Sequence, residues 1–304
     1  MKMLDNRPSP GRPAERRRTN VYIDGYNFYV PLSAHGSREV YELAWCDFLK
    51  FGSFLVDALA REQPSVFGGC ELGSVKYFTA TIPEGLPSNP SGLQRKRDWL
   101  DALHYHTKGL VEIVHGTFRA REHRFYIDRE ELDELARCGI PVDWSILDPH
   151  RPTFHPKLRI YEEKQTDVML ACSVLTDVAL GAGGAIATPH SQTATEHFSN
   201  SRPSPAPCSA AVIVSADTDF LPAAEMAARI FRASVAVAFT YPHCAYQLKG
   251  EFRHLSSNLL TREVSEQELR TCRLPAEVLV PDGRVIRMDH FLRTHFERFR
   301  ATGG

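Results

Sequence analysis

The chain has 304 residues, 43% hydrophobic and 24% charged, with a formal net charge of −1. That length supports one large domain or two small ones, and the charge excludes a bulk polycation that would bind nucleic acid by charge alone. Seven cysteines stand singly, without a CxxC pair, which reads as reduced thiols in a cytoplasmic protein. No apolar run approaches the ~20 residues of a membrane span and the N-terminus has no signal core, so no membrane partner is expected.

Residues 1–19 are polar and proline-rich and end in the basic stretch ERRRTN. They read as a flexible basic arm. Val21 to Asp24 form a short apolar run closed by an acid and followed by Gly25, as in a buried strand with a tight turn at its carboxyl end. Apolar positions at helical spacing follow from Tyr41 to Leu59. Gly73 to Ala80 read as a second strand, Ser91 opens a helix with a basic face, and Gly109 to Phe118 read as a third strand. Residues 119–155 are irregular and are taken as an insertion or lid. A helix then carries Val168, Leu170, Ala171, Val174, Leu175 and Val178 on one face, with Thr166 as its expected cap. The small, polar, proline-rich stretch 181–209 exceeds usual loop lengths and is expected to be mobile. AAVIVS is a fourth strand, TDFLPAAEMAARIF a helix and SVAVAFT a fifth strand. No internal repeat is apparent. These elements predict an α/β fold with a central, mostly parallel sheet flanked by helices. The main domain spans 20–260, with a helical extension over 261–304.

In such sheets ligands bind outside the carboxyl ends of the strands. Asp24 ends the first strand, Asp217 and Asp219 follow the fourth, and Asp167 sits in the first turn of the helix after YEEKQT. Helix capping or dipole compensation suits any one of these acids, and for Asp167 it competes evenly with a ligand role. Four crowded carboxylates without a cation would repel one another and force protonation. A Mg²⁺ or Mn²⁺ ion resolves that conflict with hard oxygen ligands. His104 and His106 point to different faces of their helix, which argues against zinc.

With these residues placed, the chain resembles the NYN domain family, in its LabA-like branch of the PIN-like nucleases. VYIDGYNFY, EEKQTDVMLA, VIVSADTDFLPAAE and the CRLP tail carry the resemblance. It implies a PIN-like three-layer fold and a divalent-metal-dependent ribonuclease. Asp24, Asp167, Asp217 and Asp219 would be its catalytic, metal-binding acids, supported by Asn27, Ser215 and Lys164. A plain solvated lysine suits Lys164 equally. The sequence departs from the family at Ala216, at Ser173 where many members carry an acid, and near Glu251 and Phe252. Asp177, one turn beyond Ser173, is expected to lie too far from the metal. Arg95, Lys96 and Arg97, with Arg119 and Arg121, stand beside aromatics and suit single-stranded RNA; solvated basic surfaces explain each stretch as well. RNA is the expected partner, and self-association stays open. The alternative is a weakened NYN domain that binds RNA, a nucleotide or a protein. No GxGxxG follows a strand, against a dinucleotide fold.

Overall fold

The computed structural model describes residues 17–80, 90–124, 129–137, 157–183, 204–241 and 259–301. Most of the expected arm, residues 184–203 of the expected mobile loop, and Glu251 with Phe252 lie outside the described residues. The chain divides into two compact units, Met1–Gly116 with Gln165–Gly304, and Thr117–Lys164.

The first unit is a sheet of parallel strands covered on both faces. Its strands are β1 (Arg17–Asp24), β2 (Cys70–Ala80), the inner half of β3 (Val111–Arg124), β5 (Ala210–Val214), β6 (Ser234–Thr240) and β7 (Leu259–Val264), and β4 (Lys157–Lys164) belongs to the second unit. Within the first unit the order is β3-β2-β1-β5-β6-β7, every neighbour pair parallel. Counted along its parallel strands, this is the doubly wound order 3-2-1-4-5-6, whose direction reverses between β1 and β5.

Period-2 alternation divides the strand residues between two cores. Val21, Ile23, Val75, Tyr77, Val212 and Val214 face one side. There they pack on helices α1 (Gly25–Ala34), α2 (Arg38–Tyr41), α3 (Phe48–Glu62) and α5 (Pro90–His106), while α4 (Pro64–Phe67) closes the turn into β2. Tyr22, Phe78, Ile213, Val235 and Val237 face the other side, under α7 (Thr166–Gly181) and α8 (Leu221–Arg229). The three-layer α/β expectation therefore holds. Among the described residues after β7 lie the helices Glu266–Thr271, opened by a Ser265–Glu268 capping box, and Met288–Ala301.

In the second unit the outer part of β3 pairs antiparallel with β4, Thr117 opposite Lys164, and α6 (Arg129–Arg137) lies between the two strands in the chain. Among the described residues no helix is long and apolar enough to cross a membrane.

Two local features depart from the sequence reading. β1 starts at Arg17, four residues before the apolar run, because Arg17 to Thr19 already pair with Cys70 to Leu72. The chain enters α7 through Gln165 in the left-handed region (φ 80°), so Thr166 is the first helical residue. Its hydroxyl is buried without a hydrogen-bond partner instead of capping the helix.

Candidate functional site at the strand switch point

The sheet reverses between β1 and β5, and the carboxyl ends of these two strands hold Asp24 and Ser215. Helices leaving two such strands diverge to opposite faces and open a crevice between their N-termini. Here α1 leaves β1 on one face, and α8 follows β5 on the other.

Asp24 is 2% exposed and its carboxylate is saturated. Oδ1 accepts the backbone N–H groups of Tyr26 and Asn27, both at 3.1 Å. Oδ2 accepts Asn27 Nδ2 at 2.7 Å and the Ser215 hydroxyl at 2.8 Å. Ser215 Oγ in turn accepts the N–H of Asp217 at 3.1 Å, and Asp217 Oδ1 accepts the N–H of Asp219 at 3.0 Å. One hydrogen-bonded chain thus runs from α1 across the switch point into the turn before α8. Gly25 begins α1 pressed onto β2: a Cβ there would lie 2.5 Å from both the Phe78 carbonyl oxygen and the Tyr77 hydroxyl. Tyr26, next along, is 62% exposed at the rim.

This arrangement orders the predicted acids by role. Asp24 is the N-cap of α1 and a hub of four donors. Asp217 is partly exposed and Asp219 exposed, held by the turn and open to a ligand. Asp167 stands on the exposed first turn of α7. Among the described residues no three His, Cys, Asp or Glu side chains come together in a way that could hold a metal ion. The crowding that called for a cation is relieved by N–H and O–H donors at Asp24.

The basic candidates separate too. Arg95 is 9% exposed, turned toward the Tyr41 hydroxyl. Lys96 donates to the Ala80 carbonyl at 2.7 Å, at the carboxyl end of β2. Arg97 is exposed. Lys164, Arg119 and Arg121 belong to the second unit, and their side chains lie outside the described residues. His106 Nε2 lies 3.1 Å from Asp47 Oδ2, so this histidine pairs with the cap of α3. His115, half-buried on β3, has its pKa lowered by burial and by the nearby Lys96 ammonium.

A second polar cluster, absent from the sequence reading, lies under α7. Asp177 is fully buried, and Oδ2 accepts Lys76 Nζ at 2.7 Å, the Tyr22 hydroxyl at 2.8 Å and Asn20 Nδ2 at 3.2 Å. The side chains of Lys76 and Asp177 are each 1% exposed. Burial is the main cause that raises the Tyr22 pKa well above its ordinary value, and it pushes the neighbouring Cys208 thiol up to about 12. The sequence signal was Lys76 inside the apolar strand GSVKYFTA: a lysine there requires a buried acid.

No family model matches the chain, and no solved structure matches it. It is similar to the 6-hydroxy-3-succinoylpyridine 3-monooxygenase HspA of Pseudomonas putida, 25% identical over 275 residues that cover 86% of this chain and 72% of the relative. That likeness corrects the functional expectation. That relative is named as a monooxygenase, an activity other than the one expected, and the metal-dependent ribonuclease, its RNA-binding alternative and the Mg²⁺ or Mn²⁺ cofactor are set aside. The resemblance to the NYN family rests on those four sequence stretches alone.

Proposed function

We propose that this chain is a monooxygenase-type oxidoreductase acting on a hydroxylated nitrogen heteroaromatic acid at the β1–β5 switch point. The observation that carries this reading is the likeness to HspA along 86% of the chain. Such a reaction places one atom of O₂ on the ring and releases the other as water. Position 3 of a 6-hydroxy-3-succinoylpyridine already carries the acyl group, so the ring C–C bond breaks as the C–O bond forms. The acyl group leaves as an aldehyde, and the whole consumes four electrons and four protons, supplied by two equivalents of a reduced nicotinamide or reduced flavin.

The first βα turn does not fit a resident dinucleotide bound in the doubly wound manner. A pyrophosphate in that mode takes the free N–H groups at the start of the first helix. Here the N–H groups of Tyr26 and Asn27 are held by the Asp24 carboxylate. The electron donor therefore enters this account as a co-substrate, and no step is assigned to a bound form of it.

The chain's own contribution is to position substrate and accept a proton. In a 6-hydroxypyridine, position 3 lies para to the hydroxyl, so removing the hydroxyl proton raises electron density where the oxygen is inserted. Asp217, fixed through Ser215 and by its own bond to the Asp219 N–H, is the carboxylate placed to accept that proton. Asp24, Asn27 and Ser215 hold the frame without meeting substrate. A positioned general base is worth ~10²–10⁴ in rate.

The test is oxygen uptake coupled to product formation, with 6-hydroxy-3-succinoylpyridine as probe, reduced nicotinamide supplied, and free flavin present or absent. The reading expects substrate-dependent uptake that drops ~100-fold or more in Asp217→Asn. Uptake that does not depend on the pyridine, or an unimpaired Asp217→Asn, would overturn it.

A further inference from the structure

Arg95 on α5 is a buried cation to which the described residues bring no acid. Its guanidinium meets the Tyr41 hydroxyl, itself bonded to the Tyr29 hydroxyl at 2.7 Å, and no carboxylate among the described residues. The acids nearest in the sequence serve another residue: Asp98 and Asp101 accept from Arg284 at 3.4 and 3.2 Å. One turn along the same face of α5, the buried Trp99 indole N–H has no acceptor among the described residues. A guanidinium carries five N–H donors, and here one neutral oxygen answers them. Charged side chains are almost never buried unless paired, and buried donors are matched by acceptors. This is a donor set matched to an anion.

Its neighbours place it at the crevice. Trp99 packs edge-on against Tyr77 of β2, ring centroids 5.3 Å apart, and Lys96 donates to the Ala80 carbonyl at 2.7 Å. α5 therefore runs antiparallel to β2, and Arg95, one turn before Trp99, stands level with the carboxyl end of that strand. Gly25 presses on the same strand end from the side of β1. Along the carboxyl edge the order is then Arg95 at β2, Asp24 at β1, and Asp217 after β5. Two strand intervals, about 10 Å, separate β2 from β5. Cations gather at one end of this edge, where Lys96 stands next to Arg95, and the open acids Asp217 and Asp219 at the other.

We propose that Arg95, assisted by the Trp99 indole N–H, holds the carboxylate of the substrate and so selects a heteroaromatic acid charged at the end remote from its ring hydroxyl. The inference rests on the monooxygenase reading and deepens it: Asp217 meets the hydroxyl at one end of the molecule, and Arg95 meets the acid at the other. Para substituents leave a six-membered ring in opposite directions, so a hydroxyl and an acid on a para side chain suit two groups set apart along the edge. A carboxylate fits the planar guanidinium fork through two parallel bonds. It also brings the negative charge that Asp98 and Asp101 direct elsewhere. Lys96, bonded to the Ala80 carbonyl, adds positive potential beside it.

Calorimetric titration of the full chain without reduced nicotinamide or flavin, so that nothing turns over, tests this. The probes are 6-hydroxy-3-succinoylpyridine and its methyl ester, which keeps the ring and removes the charge. Wild type is expected to bind the acid about 10–100-fold more tightly than the ester. Arg95→Gln should bind the two alike, and Arg95→Lys, which keeps the charge without the fork, should recover part of the preference. The ¹⁵N–H resonance of the Trp99 indole, assigned with Trp99→Phe, should move on adding the acid and not the ester. Equal binding of acid and ester by wild type overturns the proposal, as does no binding of the acid at millimolar concentration. A preference for the acid that survives Arg95→Gln overturns it too. Acid selected through Arg95 yet returned unoxidised would end the monooxygenase reading and leave the carboxylate site standing. Turnover with an undiminished preference for the acid in Arg95→Gln would do the reverse.

Discussion

Lys76→Met exposes the energetics of the pair under α7. The change keeps an unbranched apolar stem, one atom shorter, and removes the charge, leaving the Asp177 carboxylate in a site that is 1% exposed. Three donors remain: Tyr22 at 2.8 Å, Asn20 at 3.2 Å and the Ala206 N–H at 2.8 Å. None is charged. Breaking a buried pair by removing one partner costs about 3–5 kcal/mol, a large share of the ~5–15 kcal/mol that holds a typical domain. Asp177→Leu strands the lysine instead and falls in the same range. The double variant removes both charges and recovers part of the loss. Recovery is incomplete because the Tyr22 hydroxyl and the Ala206 N–H then lose the carboxylate, at roughly 1–3 kcal/mol for each left unsatisfied, while Asn20 keeps the Ala206 carbonyl. Urea unfolding of the wild type, both single variants and the double variant closes a cycle, with an expected coupling of about 2 kcal/mol or more. Single variants within ~0.5 kcal/mol of wild type, or strictly additive losses, would refute the reasoning.

Asp24→Asn is nearly isosteric, yet every partner of that carboxylate is a donor, so the new amide nitrogen finds no acceptor. A loss of about 1–3 kcal/mol in urea unfolding is expected, and a neutral result would contradict the cap geometry. Gly25→Ala sets a methyl 2.5 Å from the Phe78 carbonyl and displaces the start of α1; it should destabilise by roughly 1–3 kcal/mol and impair turnover at the neighbouring crevice. His115 contributes a pH dependence. Its folded pKa lies below the unfolded value, so the unfolded chain binds the proton first. The stability it favours is present above about pH 6.5 and declines as pH falls from there toward the folded pKa. His115→Gln should flatten that part of a melting-temperature profile, and an unchanged slope would exclude the histidine as its source. Alkylation read by peptide mass spectrometry at pH 8 should modify exposed Cys172 well before Cys208, whose thiol burial pushes up to about 12; equal labelling would contradict the burial of Cys208.

Much of the scaffold was legible because the strands announce themselves. Ser234 to Thr240 is a continuous apolar run and forms β6 over those residues, and Ser265 with Glu268 spells a capping box that the fold contains. β7 was missed: its sequence LLTREV is short and carries two charges, and the buried Arg262 inside it is sheltered by Glu62 and Glu268, an arrangement that no local window reveals. The carboxyl-edge location of Asp24, Ser215 and Asp217 followed from strand ends and connectivity. Their chemistry did not. Acids in sequence look like a charge cluster, and only the fold shows that Asp24 is satisfied by four donors. Asp177 was judged by its distance along a helix from Asp167, whereas its surroundings are set by Lys76 and Asn20, 101 and 157 residues away.

The central claim is that the crevice at the switch point hosts oxygen insertion into a hydroxylated heteroaromatic acid. The direct measurement is turnover under ¹⁸O₂ with 6-hydroxy-3-succinoylpyridine and reduced nicotinamide, with flavin present or absent, and the product read by mass spectrometry. HspA from Pseudomonas putida, run in parallel, shows that the conditions support the reaction. One ¹⁸O atom in the product of the wild type, lost in Asp217→Asn, is the predicted result. Labelled product from HspA alone, with the pyridine returned unchanged by this chain, would contradict the account.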